Sequence, residues 1–217
     1  MKRNVVLLLA VLVPLIPLAA WIADSWNDLS AGLGVWFYLL YVPARAFGLL
    51  GFVLMFYQFI LASRIPTLDA LFPRAKQLKT HRTLGKIGGI MILSHGLFML
   101  LFDLATLGAI GFTLGKLLGI IALFLLINAV VAAWFIRPLQ FSQKTWRRIH
   151  LLAYLVFPLV FVHAITIGST VRGYAAVRWL FGLLLAIYLV LAIRRVVANP
   201  FAKKPKASKK TQPEPQG

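Results

Sequence analysis

Cysteine is absent from the 217 residues. The chain therefore has no disulfide framework, no thiolate zinc site, no iron–sulfur ligation and no cysteine nucleophile. Acidic side chains are almost as scarce: 5 Asp plus Glu stand against 23 Lys plus Arg, a formal net charge of +18. Charged residues make up only 13% of the chain, where a soluble domain carries about 25%. With 61% hydrophobic residues and a mean hydropathy of +0.87, the composition excludes an ordinary soluble fold. In a soluble chain such a cationic excess points to nucleic acid. In so apolar a chain it points to the cytoplasmic face of a membrane, where basic loops are retained and anionic lipids attract them. No nucleic-acid partner is expected.

A helix needs roughly 20 apolar residues to cross a bilayer, and six runs approach that length. They are Val5 to Ile22, Pro43 to Ala62, His81 or Leu84 to Leu104, Ile110 to Phe135, Ile149 to Ile167, and Ala176 to Ile193. The aromatic-rich stretch Val35 to Tyr41 before the second run is placed at the interface. The connections are short, so the expected fold is an all-α integral membrane bundle of six transmembrane helices.

Charge sets the orientation. With the N-terminus in the cytoplasm, Lys2 and Arg3, the cations from Arg64 to Lys86, those from Arg137 to Arg148, and those from Arg194 onward all fall inside. These are 19 of the 23 basic residues; Arg45, Lys116, Arg172 and Arg178 fall outside. Both termini are thus expected to be cytoplasmic, in a multi-pass protein of a bacterial cytoplasmic (inner) membrane. Three segments follow: residues 1–42, the first transmembrane helix and an outer interfacial segment; 43–196, the transmembrane domain of the other five spans; and 197–217, a Lys- and Pro-rich cytoplasmic tail expected to be disordered. Met1-Lys2-Arg3 before an apolar run, with small residues near Ala19 and Ala20, also has the form of a signal peptide. The length of the run and the Trp21 to Trp26 context favour an uncleaved helix. No internal repeat stands out.

All four histidines, His81, His95, His150 and His163, lie on or at the ends of the third and fifth spans. An intramembrane imidazole needs partners and marks a functional site by default. A lone one is equally well explained by a hydrogen bond to a neighbouring helix; two spaced pairs, with none elsewhere, are not. His81 and His95 differ in phase by about 40° and lie about 21 Å apart along an ideal helix, one face near two sides of the membrane. His150 and His163 span nearly the same length but stand about 140° out of phase. Pro158 lies between them, and an internal proline is able to kink a helix and change its phase.

The two spans run in the same direction, so His81 comes level with His150 and His95 with His163. Two facing imidazoles per level suit an iron porphyrin held from above and below, an arrangement that favours electron transfer. Zinc wants three or four clustered ligands, which two separated pairs do not provide. Two stacked b-type haems are expected, with the four histidines as iron ligands and no catalytic side chain.

Smaller cues accompany them. Gly85, Gly88 and Gly89 either let a flat macrocycle approach the helix or serve close helix packing. Arg82, Arg147 and Arg148, with Lys79, flank the inner histidines and are candidates for haem propionates besides fixing topology. Arg45 is the outer-propionate candidate, because outside cations are scarce. Phe98, Phe102, Phe157 and Phe161 are expected to face lipid or fill the core rather than relay electrons.

The segments His81-Arg82-Thr83-Leu84-Gly85 through Ser94-His95, and Trp146-Arg147-Arg148-Ile149-His150 through Val162-His163, resemble the ferric reductase-like transmembrane domain family. That family includes eukaryotic ferric reductases, NADPH oxidases and the bacterial haem subunit serving periplasmic methionine-sulfoxide reductase. The likeness runs from about Ala44 to Arg195. It implies that His81 and His150 take an inner haem, His95 and His163 an outer one, and that electrons pass outward from the cytoplasmic side. Two departures matter. The oxidases and reductases continue into flavin and nicotinamide domains, whereas no Gly-rich nucleotide motif follows the last span here. The methionine-sulfoxide reductase subunit stands alone in the membrane, but its pattern usually has Arg where this chain has His81.

The function expected is transmembrane electron transfer through two bis-histidine b-type haems, by an oxidoreductase haem subunit without its own flavin and NADPH domain. Its donor is a cytoplasmic flavin reductase, with FMN or FAD in that partner or bound on the cytoplasmic side, or a membrane quinol. A flavin would split two-electron hydride delivery into single electrons. The acceptor is ferric iron, oxygen or a periplasmic oxidoreductase. Three readings stay open beside it: the methionine-sulfoxide reductase haem subunit, a quinol-linked diheme cytochrome b, and, outside redox chemistry, a proton or metal transporter.

Overall fold

The computed structural model describes residues 2–135, 140 and 142–197. Its helices are α1 (Lys2–Leu29), α2 (Val42–Ala62), α3 (Pro66–Leu71), α4 (Arg74–Leu107), α5 (Leu114–Trp134), α6 (Gln143–His150), α7 (Ala153–Ile167), α8 (Ser169–Gly173) and α9 (Ala175–Val197). A π-helical turn, Phe37–Tyr41, leads into α2. No strand occurs among the described residues. Six stretches are long and apolar enough to cross a bilayer: 2–29, 37–62, 74–107, 114–134, 143–167 and 175–195. The chain is an all-α, multi-pass membrane protein. The tail from Ala198 onward, expected to be disordered, and Arg137 of the inner cations lie outside the described residues.

The third span starts earlier than its apolar run. Helix α4 begins at Arg74, whose guanidinium donates to the carbonyls of Leu61 and Ala62 and so satisfies the open end of α2. This puts His81 two turns inside a continuous helix rather than at its start.

Glycines set the closest approaches. A Cβ on Gly51 would stand 2.6 Å from Ile92, on Gly88 3.1 Å from Leu54, and on Gly85 3.1 Å from Gln58. Helices α2 and α4 therefore lie against each other on a seam of missing side chains. The packing reading of Gly85 and Gly88 describes what they touch. Gly89 borders only Val130, at an ordinary 3.8 Å.

The apolar centre is aromatic. Phe52 stacks between Phe157 and Phe181, with centroids at 4.6 and 4.0 Å, and Phe56, Phe59 and Tyr188 extend the column. Phe157 is fully buried and Phe161 half-buried against the same core. Phe98 pairs with Phe47, and Phe102 with Phe37 and Tyr41. Helix α1 is fastened to this core by Trp21 Nε1, which donates to the Val42 carbonyl at 2.8 Å, and by Tyr57, whose hydroxyl donates to Ala10.

The fifth span is two helices, and its hydrogen bonding changes ahead of the proline. Helix α6 ends at His150 and α7 starts at Ala153. Across the junction the amides of Leu152, Tyr154 and Leu155 bond three residues back, to Ile149, Leu151 and Leu152. Such tighter bonding advances each residue by more than the α-helical angle. Pro158 sits inside α7 without ending it. Its missing N–H leaves the Tyr154 carbonyl free, and the Tyr188 hydroxyl of α9 donates to that oxygen at 2.5 Å.

Candidate functional site

Two tiers of imidazoles face each other between α4 and the α6–α7 span. His81 and His150 form one tier, with ring centroids 6.4 Å apart and planes at 72°. His95 and His163 form the other, at 6.1 Å and 82°. The four residues singled out by spacing are thus brought together as two pairs, each across the same two helical elements.

The second tier is built with care on both sides. His95 Nδ1 lies 2.9 Å from the Ala44 carbonyl, and His163 Nδ1 lies 2.8 Å from the Gly115 carbonyl. A carbonyl only accepts, so each Nδ1 carries the proton and each Nε2 keeps its lone pair. Four residues beyond each carbonyl comes a glycine over which the ring lies. A Cβ on Gly48 would stand 2.9 Å from His95 Nδ1, and one on Gly119 2.5 Å from His163 Nδ1. The same device, a small residue's carbonyl and a glycine one turn on, is thus used twice, on α2 toward α4 and on α5 toward α7. It repeats in space although the sequence around it does not, which is why no repeat is legible along the chain.

A cavity of about 380 Å³ opens at this tier, bordered by His95, His163, Gly48, Gly119, Arg45 and Lys116 among others. That size falls in the range of roughly 300–1,000 Å³ usual for cofactor sites. Its rim is polar. Buried Arg45, 7% exposed, gives Nη1 to Asp24 at 2.6 Å and Nη2 to Asp28, while its Nε has no partner among the described residues. Thr170 donates to the same Asp24 oxygen at 2.7 Å. Lys116 is paired with buried Asp103. Three of the chain's five acidic residues therefore gather where only two cations line the cavity.

The first tier is plainer. The Nδ1 atoms of His81 and His150 are buried without a partner among the described residues, as is Gln58 Oε1 on the neighbouring helix. Trp146 stacks on His150, with centroids 5.4 Å apart and planes at 13°. Arg82, Arg147 and Arg148 are exposed, as their topological role alone would have them. Arg195, which sequence reasoning counted only as an inner charge, places its guanidinium over Tyr154 at 5.7 Å, close to His150. Asp24, Asp28, Gly48 and Gly119 were also missed. The signal available was the scarcity of acid: two of five acids one helical turn apart on an otherwise apolar span.

The donor sets fit haem. Two metal–imidazole bonds of about 2 Å each, with about 1.1 Å from each nitrogen to its ring centre, place trans imidazoles roughly 6.2–6.4 Å apart, centroid to centroid. The pairs stand at 6.4 and 6.1 Å, one within that range and one just below it. No cluster of three or more His, Asp or Glu side chains suited to a metal occurs among the described residues, so the donors are in pairs, as an axially ligated macrocycle requires.

Comparison with known proteins identifies a family. The curated proteins give no match to the chain. Residues 47–161, more than half of it and the stretch that includes His81, His95 and His150, match the family model of the ferric reductase-like transmembrane component. The chain belongs to the ferric reductase-like transmembrane component family.

Proposed function

We propose that this protein carries single electrons across a bacterial cytoplasmic membrane through two b-type haems, from a cytoplasmic flavin reductase or a membrane quinol to an acceptor on the outer side. Membership of the family supports transmembrane electron transfer in general. The observation that carries the finer reading is the pair of facing imidazole tiers at 6.4 and 6.1 Å on the same two helical elements. A bound haem supplies an iron that accepts and releases one electron without changing its two axial histidines. His81 and His150 would hold the inner one, His95 and His163 the outer one. The carbonyls of Ala44 and Gly115 fix the tautomer that leaves Nε2 toward the centre of the outer tier. Gly48 and Gly119 leave the rings room to stand there. Arg45 borders the outer cavity and is the candidate donor for a propionate there, and Arg74, Arg82 and Arg195 are the cations that act on the inner tier. The apolar helices around both tiers exclude water, which limits reorganisation when the charge changes.

A second reading has one observation in its favour. Among the described residues, glycine grooves and carbonyl hydrogen bonds of ordinary geometry occur at the outer tier and not the inner, as a single-haem subunit serving a periplasmic methionine-sulfoxide reductase would need. Haemochrome titration of the purified protein beside His81→Ala separates the two. Two haems per chain falling to one supports the proposal, and one haem indifferent to His81 supports the second reading. Colourless protein in both preparations would leave the histidines to proton or metal transport.

A further inference from the structure

His95 and His163 are each held twice, at Nδ1 by a carbonyl and along the ring by a glycine groove. His150 has neither. Its Nδ1 lacks a partner among the described residues, and it is the last residue of α6, directly before the turn at Leu151 and Leu152. A ligand there has two free side-chain torsions and a backbone that changes direction behind it. What it does have is Trp146, one helical turn earlier on the same face. The indole lies parallel to the imidazole within 13°, at a centroid distance of 5.4 Å typical of offset stacking. Trp146 is itself half-buried, at the start of a basic helix whose exposed face is Lys144, Arg147 and Arg148.

We infer that Trp146 is the positioning residue of the inner tier: its indole sets the ring plane of His150 and so the near-perpendicular arrangement of His81 and His150. The inference rests on the two-haem reading. The plane of an axial imidazole decides which iron d orbitals it overlaps, so a ring free to turn changes the midpoint potential and the low-spin signal of that iron. The structural rival is an interfacial anchor, a common task for tryptophan at a membrane boundary. An anchor needs apolar bulk at the interface and is indifferent to whether its plane is parallel to a neighbour.

The test uses the full chain in detergent with Trp146→Leu and Trp146→Phe, and His81→Ala to identify the inner component. Haem content, optical redox titration and electron paramagnetic resonance of the ferric protein are read together. Trp146→Leu should shift the midpoint and broaden the low-spin signal of the component that His81→Ala removes, leaving the other component in place. Trp146→Phe, which keeps a ring to stack, should return both toward wild type. If Trp146→Leu does not accumulate, Trp146→Met takes its place with the same expectation. A Leu or Met variant holding two haems, both coincident with wild type in potential and signal, overturns the inference while leaving the haem reading intact. Wild-type protein without two haems overturns both.

Discussion

Substituting Gly119 by alanine puts one methyl group where His163 lies. The new carbon would stand 2.5 Å from Nδ1 and 2.7 Å from Cε1, whereas ordinary contact begins at 3.4 Å, so ring or helix must retreat by roughly 0.9 Å. The ring is also tied to the Gly115 carbonyl at 2.8 Å, and a retreat of that size breaks the bond. Overpacking costs about 1–3 kcal/mol and the hydrogen bond about 0.5–1.5 kcal/mol. At about 1.4 kcal/mol per factor of ten, their combined effect weakens haem at the outer tier roughly 10- to 1,000-fold. Gly48→Ala is milder, since its Cβ would reach 2.9 Å from His95 Nδ1 and a displacement of roughly 0.5 Å relieves it. Gly182→Ala, in α9 with nothing within 4 Å among the described residues, is the control and should behave as a neutral or slightly helix-favouring change. The assay is haem per chain by haemochrome, with dilution or a competing apoprotein to bring out partial losses. The expected order of retention is Gly182→Ala, then Gly48→Ala, then Gly119→Ala, the last retaining only the haem that depends on His81. Full retention of two haems with an unchanged spectrum in Gly119→Ala would refute the claim that the groove seats the ligand.

Other consequences follow from the polar contacts. Asp24→Asn with Asp28→Asn leaves Arg45 buried and uncompensated, and thermal unfolding in detergent should show a loss of about 3–5 kcal/mol, part of which Arg45→Met in the same background restores. Tyr188→Phe removes the donor to the Tyr154 carbonyl and should cost about 0.5–1.5 kcal/mol. In a Pro158→Ala background a helical N–H becomes available to that carbonyl, so the cost of Tyr188→Phe should shrink. A double-mutant cycle that shows equal costs in both backgrounds would contradict the role assigned to the freed oxygen.

What the sequence made legible was whatever depends on periodicity and counting. Six apolar runs became six spanning stretches, and four histidines on two spans became two facing tiers, because helical rise and phase are the same for every sequence. The tiers on α4 come directly from a spacing of fourteen. The alignment of His150 with His163 was not legible, because the span breaks between His150 and Ala153, where three amides bond three residues back, and a run of leucines and alanine carries no mark of that. The proline drew attention instead, although its freed carbonyl is answered by Tyr188 from a distant helix. The start of α4 at Arg74 was hidden by its basic first turns, which hydropathy reads as loop. The carbonyl and glycine device was invisible for another reason: its parts sit on helices whose register is a tertiary outcome, and Ala44, Gly48, Gly115 and Gly119 are small residues among many.

On the two-haem reading proposed above, the two tiers differ in two respects that would act on iron in the same direction. Outer imidazoles donate Nδ1–H to carbonyls in ordinary hydrogen bonds, which makes them stronger donors and stabilises ferric iron, whereas the Gln58 and Ala129 carbonyls beside the inner ones do not reach that geometry. Asp24, Asp28 and Asp103 pair with Arg45 and Lys116 beside the outer tier and so offset those two cations. Around the inner tier Arg74, Arg82 and Arg195, none of them in an ion pair among the described residues, favour the ferrous state. The inner site is therefore predicted to have the higher midpoint potential, so that an electron rests there in a de-energised membrane. Outward movement then draws on the membrane potential. The tiers are about 21 Å apart in a core of about 30 Å, so an electron moving toward the positive outer face gains roughly 1.5 kcal/mol per 100 mV. Optical redox titration gives the order, with His81→Ala removing the inner component and His163→Ala the outer. A lower potential for the component lost with His81 would refute the ordering. In the other case, proteoliposomes loaded with an outer-side acceptor should transfer electrons faster when the potential is imposed positive outside than when it is collapsed.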